Sequence, residues 1–373
     1  MITIRSYSKW ASKKAKLTTP KKKDWLEHKA SALPDNDNID SYRKFIKELI
    51  ERYDGDDNFG TVSKPPEIKI REVIIRNPVK HWQIENEPGR NAEEGSGFWN
   101  GTARELAELF MIASKEIKEA DAEAKIFPAG FPDGGVLACK KTKCFLGIFL
   151  QELRNMNGEF DIFDIHNFDD VETIDEQISI VKNILKQYGF EKKDIWITAL
   201  DFNWRQLRLG INKDEYNRIR SVDLVKKYVK AFGNGVEIII QWVLHDKPAT
   251  WPPAEEPEFT KFRGIVENDL TPKPVYYVLN RMISKLDGFK MCTDISSRYP
   301  SKQVFQFINE SGNSVYVAWE TNTKEDASKL DLIKGEVKVT DIFGKETITK
   351  GDSIVLTTVP VYIEKIIERK RAG

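Results

Sequence analysis

Through residue 288 the chain alternates short apolar runs with segments of helical period. Ile2, Thr3 and Ile4 open the first run, and after a Lys-rich stretch Tyr42, Phe45, Ile46, Leu49, Ile50 and Tyr53 recur at the spacing of one helix face. A second run ends in His81-Trp82-Gln83-Ile84-Glu85-Asn86-Glu87-Pro88, and Leu106, Leu109, Phe110, Ala113 and Ile117 make the stripe that follows. Runs at 125–127, 160–166, 194–198 and 236–244 predict further strands. Helices are predicted near 137–154, across Ile178, Val181, Leu185 and Tyr188, across Val222, Val225, Val229 and Phe232, and over 274–286. The 236–244 run is almost continuously apolar, the pattern of a strand covered on both faces. Repeated strand-then-helix units of this length imply a parallel sheet covered by helices. Six units are counted, where a closed (β/α)8 barrel has eight.

After Asp287-Gly288 the period changes to alternation. Residues 304–308, 314–319, 337–342 and 354–363 read as strands, separated by turns such as Ser311-Gly312-Asn313 and Phe343-Gly344-Lys345. Short strands without intervening helices predict a small antiparallel β-sandwich over 289–373, following a barrel-type domain over 1–288.

Charge narrows the partners. Lys plus Arg equals Asp plus Glu at 58 each, so no net field draws the chain to nucleic acid or to an anionic membrane. No apolar run is long enough to span a bilayer, and the first residues lack the basic and apolar regions of a signal peptide, which favours the cytoplasm. Cys139, Cys144 and Cys292 make an odd set without metal-like pairing, and His28, His81, His166 and His245 show no zinc spacing. The three cysteines are read as reduced structural thiols, and no metal or cofactor is implied.

The chemistry concentrates at Asn86-Glu87-Pro88, at the end of a predicted barrel strand and ahead of Phe98-Trp99 and an amphipathic helix. Barrel active sites form where strands end, so a carboxylate there points into the cleft. The segment resembles the fourth strand of retaining clan-A glycoside hydrolases, nearest the xylosidase-like family 39 and family 5. The resemblance implies that Asn86 hydrogen-bonds the sugar 2-hydroxyl and that Glu87 is the general acid/base. It runs along most of the chain: residues 41–57 resemble the helix after strand three, Asp164-Ile165-His166-Asn167 the end of strand six, and Gln241-Trp242 the end of strand eight. Thr271-Pro272-Lys273-Pro274 is similar to the start of the last helix, and Val359-Pro360-Val361-Tyr362-Ile363-Glu364 to the closing strand of the accessory sandwich. It implies that His166 faces the nucleophile and that Trp242 floors the sugar subsite. A hydrogen-bonded structural His and a core Trp are the alternatives. Trp99, Trp204 and Trp251 are candidate sugar-stacking platforms, with packing as their alternative.

Two departures stand out. Asp194-Ile195-Trp196-Ile197-Thr198-Ala199-Leu200-Asp201 resembles strand seven, but Ala199 occupies the position of the nucleophilic Glu. Retaining hydrolysis needs two carboxylates about 5–5.5 Å apart. An engineered knockout, a natural loss of activity, or substitution by Asp201 would each account for this. Matched to the clan, Met1 falls at strand three, so the first two βα units are expected to be missing. The exposed edges would then be covered by another chain, such as a homo-oligomer partner, or a longer gene product would supply the missing units and with them a secretion signal. The functions expected are a β-glycosidase acting on glycosides or oligo- and polysaccharides, or a non-catalytic carbohydrate-binding relative. A purely structural barrel is the third reading.

Overall fold

The computed structural model describes residues 1–6, 11–12, 31–55, 78–89, 98–140, 143–203, 212–246, 263–322 and 327–366. They fall into two compact units, Met1–Asn167 with Ser179–Ala199, and Phe168–Ile178 with Leu200–Gly373.

In the first unit β1 (Ile2–Ile4), β2 (His81–Asn86) and β3 (Lys125–Gly130) form a parallel sheet in that order, with Ile2 opposite Trp82 and Gln83 opposite Phe127. A parallel bridge between Phe131 and Ile165 joins β3 to β4 (Ile162–Asn167), and β5 (Asp194–Leu200) lies beside β4. Phe127, Ile162 and Trp196 pack together from three of these strands. Helices α1 (Ile39–Tyr53) and α2 (Ala103–Ala120) follow the sequence pattern, and the whole α2 stripe is buried. Thr102 starts α2 in a reciprocal cap: its hydroxyl accepts from the Glu105 N–H at 3.1 Å, and the Glu105 carboxylate accepts from the Thr102 N–H at 2.8 Å.

Two expectations are corrected here. Phe45 is 51% exposed, because the buried line of α1 runs through Tyr42, Ile46 and Ile50 at a spacing of four and Phe45 lies beside it. The helix expected near 137–154 is broken into α3 (Asp133–Leu137), a 3-10 turn at Ala138–Lys140, and α4 (Phe145–Asn155). The break coincides with a disulfide between Cys139 and Cys144, which replaces the reduced thiols expected from the cysteine count. Cys144 caps α4, its sulfur accepting from the Gly147 N–H at 3.2 Å, and so fixes where the new helix begins. Helix α5 (Thr173–Gln187) precedes β5.

The second unit contains α6 (Lys213–Gly233), β6 (Ile238–Gln241) and α7 (Pro274–Leu286), the last with Pro in its first turn, where no N–H is needed. An all-antiparallel module follows: β7 (Phe289–Asp294), β8 (Lys302–Asn309), β9 (Ser314–Glu320), β10 (Ser328–Leu330), β11 (Glu336–Asp341), β12 (Glu346–Lys350), β13 (Ile354–Leu356) and β14 (Val361–Lys365). Six of them form one sheet in the order β12-β11-β14-β9-β8-β7, and β10 pairs with β13. Val304, Ala318, Val337 and Ile363 from the large sheet share a core with Leu330, Ile354 and Leu356 from the small one.

Here too the structure differs from the pattern. The single strand expected over 354–363 is two strands in different sheets, separated by a segment ending in Pro360, which has no N–H to continue a ladder. Strand β6 is not covered on both faces: Ile238 and Ile240 are 38% and 37% exposed. An apolar run records hydrophobicity without recording what lies against it. The described parallel strands form open sheets and do not close into a barrel.

Candidate active site

Strand β2 ends in a backbone that ordinary residues avoid. Glu85 has φ +72° and Glu87 φ +42°, both left-handed, at a cost on the order of 1–3 kcal/mol per residue. The surrounding contacts hold this geometry. The Glu87 N–H donates to the Gly130 carbonyl at 3.1 Å, and Asn86 stands opposite Gly130 in the β2–β3 ladder. Glu85 turns inward and is fully buried, where its Oε1 accepts from the Ser6 N–H at 2.6 Å and from the Ser6 hydroxyl at 2.8 Å. Burial raises the Glu85 carboxyl above its usual range, and the Ser6 hydrogen bonds and the Arg5 charge only partly oppose it.

Glu87 meets His166 from β4. Its Oε1 lies 2.8 Å from His166 Nδ1. Behind the imidazole, Thr198 Oγ1 of β5 is 3.3 Å from His166 Nε2 and donates to Asp164 Oδ2 at 2.5 Å, while the Thr198 N–H donates to Asp164 Oδ1 at 2.9 Å. Gln83 Nε2 also donates to Asp164, and the Thr3 hydroxyl donates to Gln83 Oε1 at 2.7 Å. Because the Thr198 proton is committed to Asp164, its lone pair faces His166. With Glu87 ionised, both ring nitrogens face acceptors, an arrangement that the doubly protonated ring satisfies. Burial works against that charge, but hydrogen bonds and charges from Asp164 and Glu87 prevail and raise the imidazole to about 9. Among the described residues the site is thus an imidazolium between two carboxylates, with no group of side chains suited to a metal ion.

Gly130 makes room for this ring. A side chain there would run into His166 Nε2 and Asp164 Oδ2, so the close approach of β3 and β4 requires glycine. Gln83, Asp164, Thr198, Glu85 and Gly130 were not singled out in the sequence. The available signal was positional, since Gln83 and Glu85 flank the Asn86-Glu87 motif, Asp164 stands two residues before His166, and Thr198 precedes Ala199.

The other sequence-predicted residues are distributed differently. Ala199 is buried on β5, next to Thr198, which is the residue whose hydroxyl reaches the His166 ring. Trp99 is 1% exposed and its indole N–H donates to the Thr102 carbonyl at 3.2 Å, which places it in the packing rather than at a stacking surface. Trp204 and Trp251 lie outside the described residues. In the second unit Trp242 is half-buried, with the Arg263 guanidinium 4.1 Å from its ring centroid and Phe168 edge-on at 5.6 Å. Asp201 is buried there in an ion cluster: Oδ1 accepts from Arg220 at 3.0 Å and Oδ2 from Arg263 at 3.1 Å, and the Gln241 amide donates to Oδ1 at 3.2 Å. Two described cavities, of about 350 and 750 Å³, are lined by other residues: Asp214, Arg218, Pro274 and Phe343 in one, and the surroundings of the Cys139–Cys144 disulfide in the other.

No protein-family model matches the sequence, and no curated protein does. Solved structures do match. A family 39 glycoside hydrolase from the gut symbiont Bacteroides cellulosilyticus WH2 aligns at a TM-score of 0.59 and 14% identity, over 91% of this chain and 64% of that one. A family 39 β-xylosidase from Caulobacter crescentus aligns at 0.56 and 13% identity, over 94% and 77%. An α-L-arabinofuranosidase from Thermotoga maritima aligns at 0.54 and 14% identity, over 87% and 73%. The chain shares its fold with clan-A glycoside hydrolases of the family 39 type. At these identities the likeness is one of fold, and the chain spans less than two thirds of the Bacteroides enzyme's length. No helix of the described residues is long and apolar enough to cross a membrane.

Proposed function

We propose that this chain is a glycosidase-like protein for β-linked sugars, with Glu87 as its acid/base group, Asn86 as a sugar hydrogen-bonding residue and Ala199 in the nucleophile position. The observation that supports this most is the Glu87–His166 contact at 2.8 Å, at the end of a parallel strand in a fold shared with glycoside hydrolases. A general acid must hold a proton that it can release to the leaving oxygen. The imidazolium supplies one: moving the Nδ1 proton to Oε1 converts imidazolium and carboxylate into neutral imidazole and carboxylic acid without a net charge change. Asp201 does not replace the missing nucleophile in this reading, because two guanidiniums already occupy its oxygens.

The alternative, a non-catalytic sugar-binding relative, draws on Ala199, which has no lone pair for the first displacement. Purified chain and its Ala199→Glu variant, assayed on nitrophenyl β-xylosides, glucosides and galactosides, separate the two. The expected result is negligible turnover by the chain itself and a detectable rate for the variant, with azide as a second route to a rate in the unmodified chain. Sugar binding without turnover in the variant establishes the binding protein. Absence of both binding and turnover in every form overturns the proposal, and strong turnover by the unmodified chain overturns the assignment of position 199.

A further inference from the structure

The disulfide between Cys139 and Cys144 lies in a setting unlike that of an inert cross-link. Of the residues between the two cysteines, Lys140 and Lys143 are described, and each stands next to one of them in sequence. Cys144 is the N-cap of α4, and its sulfur accepts the Gly147 N–H at 3.2 Å. Positive charge and a helix N-terminus both stabilise a thiolate. Cys139 is half-buried and Cys144 buried, and both line the cavity of about 750 Å³ together with Lys140, Lys143, Gln151 and Tyr188. The helices that the bond connects also grip the end of the Glu87 segment. A side chain at Gly89 would run into the Phe145 ring at the start of α4, and one at Gly135 of α3 would run into the Gly89 carbonyl.

We infer that Cys139–Cys144 is a thiol–disulfide exchange site for dithiol reductants, and that its redox state sets the packing of the segment carrying Glu87. The thiolate of the dithiol attacks the more accessible Cys139 sulfur. A bond forms between those two sulfurs, the Cys139–Cys144 bond breaks, and Cys144 leaves as the thiolate that accepts from the Gly147 N–H, with Lys140 and Lys143 lining the same cavity. The second thiolate of the reductant then attacks its own sulfur in the mixed disulfide and releases Cys139, which takes up one proton. The dithiol loses two electrons and two protons and becomes a disulfide; the cysteine pair gains the two electrons, Cys139 takes one proton and the other goes to solvent. A stabilised leaving thiolate makes the exchange fast and favours the reduced form. Reduction unties α3 from α4 and loosens their grip on Gly89, two residues beyond Glu87. The functional consequence rests on the proposed role of Glu87, whereas the exchange chemistry does not.

The experiment uses the full chain and dithiothreitol. In a Cys139→Ser variant, checked for folding by circular dichroism, the pH dependence of Cys144 alkylation is expected to have its midpoint below the ordinary thiol value of about 8.5. Lys140→Ala with Lys143→Ala should raise that midpoint. Cys292 is the internal control, since burial, aided by Asp294, pushes its thiol up to about 12. In parallel, the imidazole NMR signal of His166, assigned with His166→Gln, is expected to shift when the unmodified chain is reduced and to return on reoxidation. Should the serine variant fail to fold, the same midpoint is read by mass mapping of the reduced unmodified chain. A Cys144 midpoint at or above about 8.5, a bond that yields only when the chain unfolds, or an unmoved His166 signal overturns the inference. Failure of the glycosidase proposal would show separately, as no sugar turnover or binding in either redox state with these readouts intact.

Discussion

A few side chains at the end of β2 decide the character of the candidate site. His166 lies between Glu87 and the Thr198–Asp164 pair, and its proton affinity is raised from the ordinary 6.5 to about 9. Its folded-state value exceeds the unfolded one, so its contribution to stability is complete below pH 6.5 and fades as pH rises through about 9. The linkage is on the order of 3 kcal/mol. Urea unfolding at successive pH values should therefore show stability falling across that window, and His166→Gln should flatten the fall. A slope unchanged in the variant would place the titrating group elsewhere. Gly130 tests the same packing from the other side. Gly130→Ala is expected to displace the ring and cost about 1–3 kcal/mol, read as a lower urea midpoint and a shifted His166 signal, because His166 and Asp164 of β4 leave no space for the added carbon.

At the scale of elements, ionic contacts join segments that are distant in sequence. Asp201 follows β5 directly and is bound by Arg220 of α6 and by Arg263, while the buried Lys227 donates to its carbonyl at 2.7 Å. Removing one member of a buried ion cluster leaves the others without counter-charge, at about 3–5 kcal/mol. Asp201→Asn should lower the unfolding free energy by that amount in urea titration. A loss under about 1 kcal/mol would show that the cluster is not structural and would return Asp201 to consideration as a reacting carboxylate. The cap of α2 is a milder case. Thr102→Ala removes the hydroxyl that accepts the Glu105 N–H and should cost about 1 kcal/mol, a small drop in melting temperature with the fold intact.

On the scale of the whole molecule, exposed apolar side chains on a strand bear on solution behaviour, since they invite association with another chain. Ile238 and Ile240 point outward from β6, so Ile238→Lys with Ile240→Lys should change stability by no more than about 0.5–1 kcal/mol while reducing any concentration-dependent association seen in sedimentation. A large loss of stability would mean that this face is buried after all. The strand-and-helix order was legible in the sequence because each element carries its own period, and α7 and the strands β1 and β2 fall where their patterns put them. The Asn86-Glu87 motif and His166 were legible as residue types at strand ends. Several features were not. The division of 354–363 between two sheets, the exposure of β6, the burial of Trp99 and the joining of Cys139 to Cys144 depend on what packs against a segment, and a periodicity along one strand or helix carries no record of its neighbours. The charge on His166 belongs to the same class. Sequence alone determined that an imidazole and a carboxylate would stand at strand ends, whereas only the tertiary structure, by placing Asp164 and Thr198 behind that ring in a buried space, decided that its proton affinity is raised.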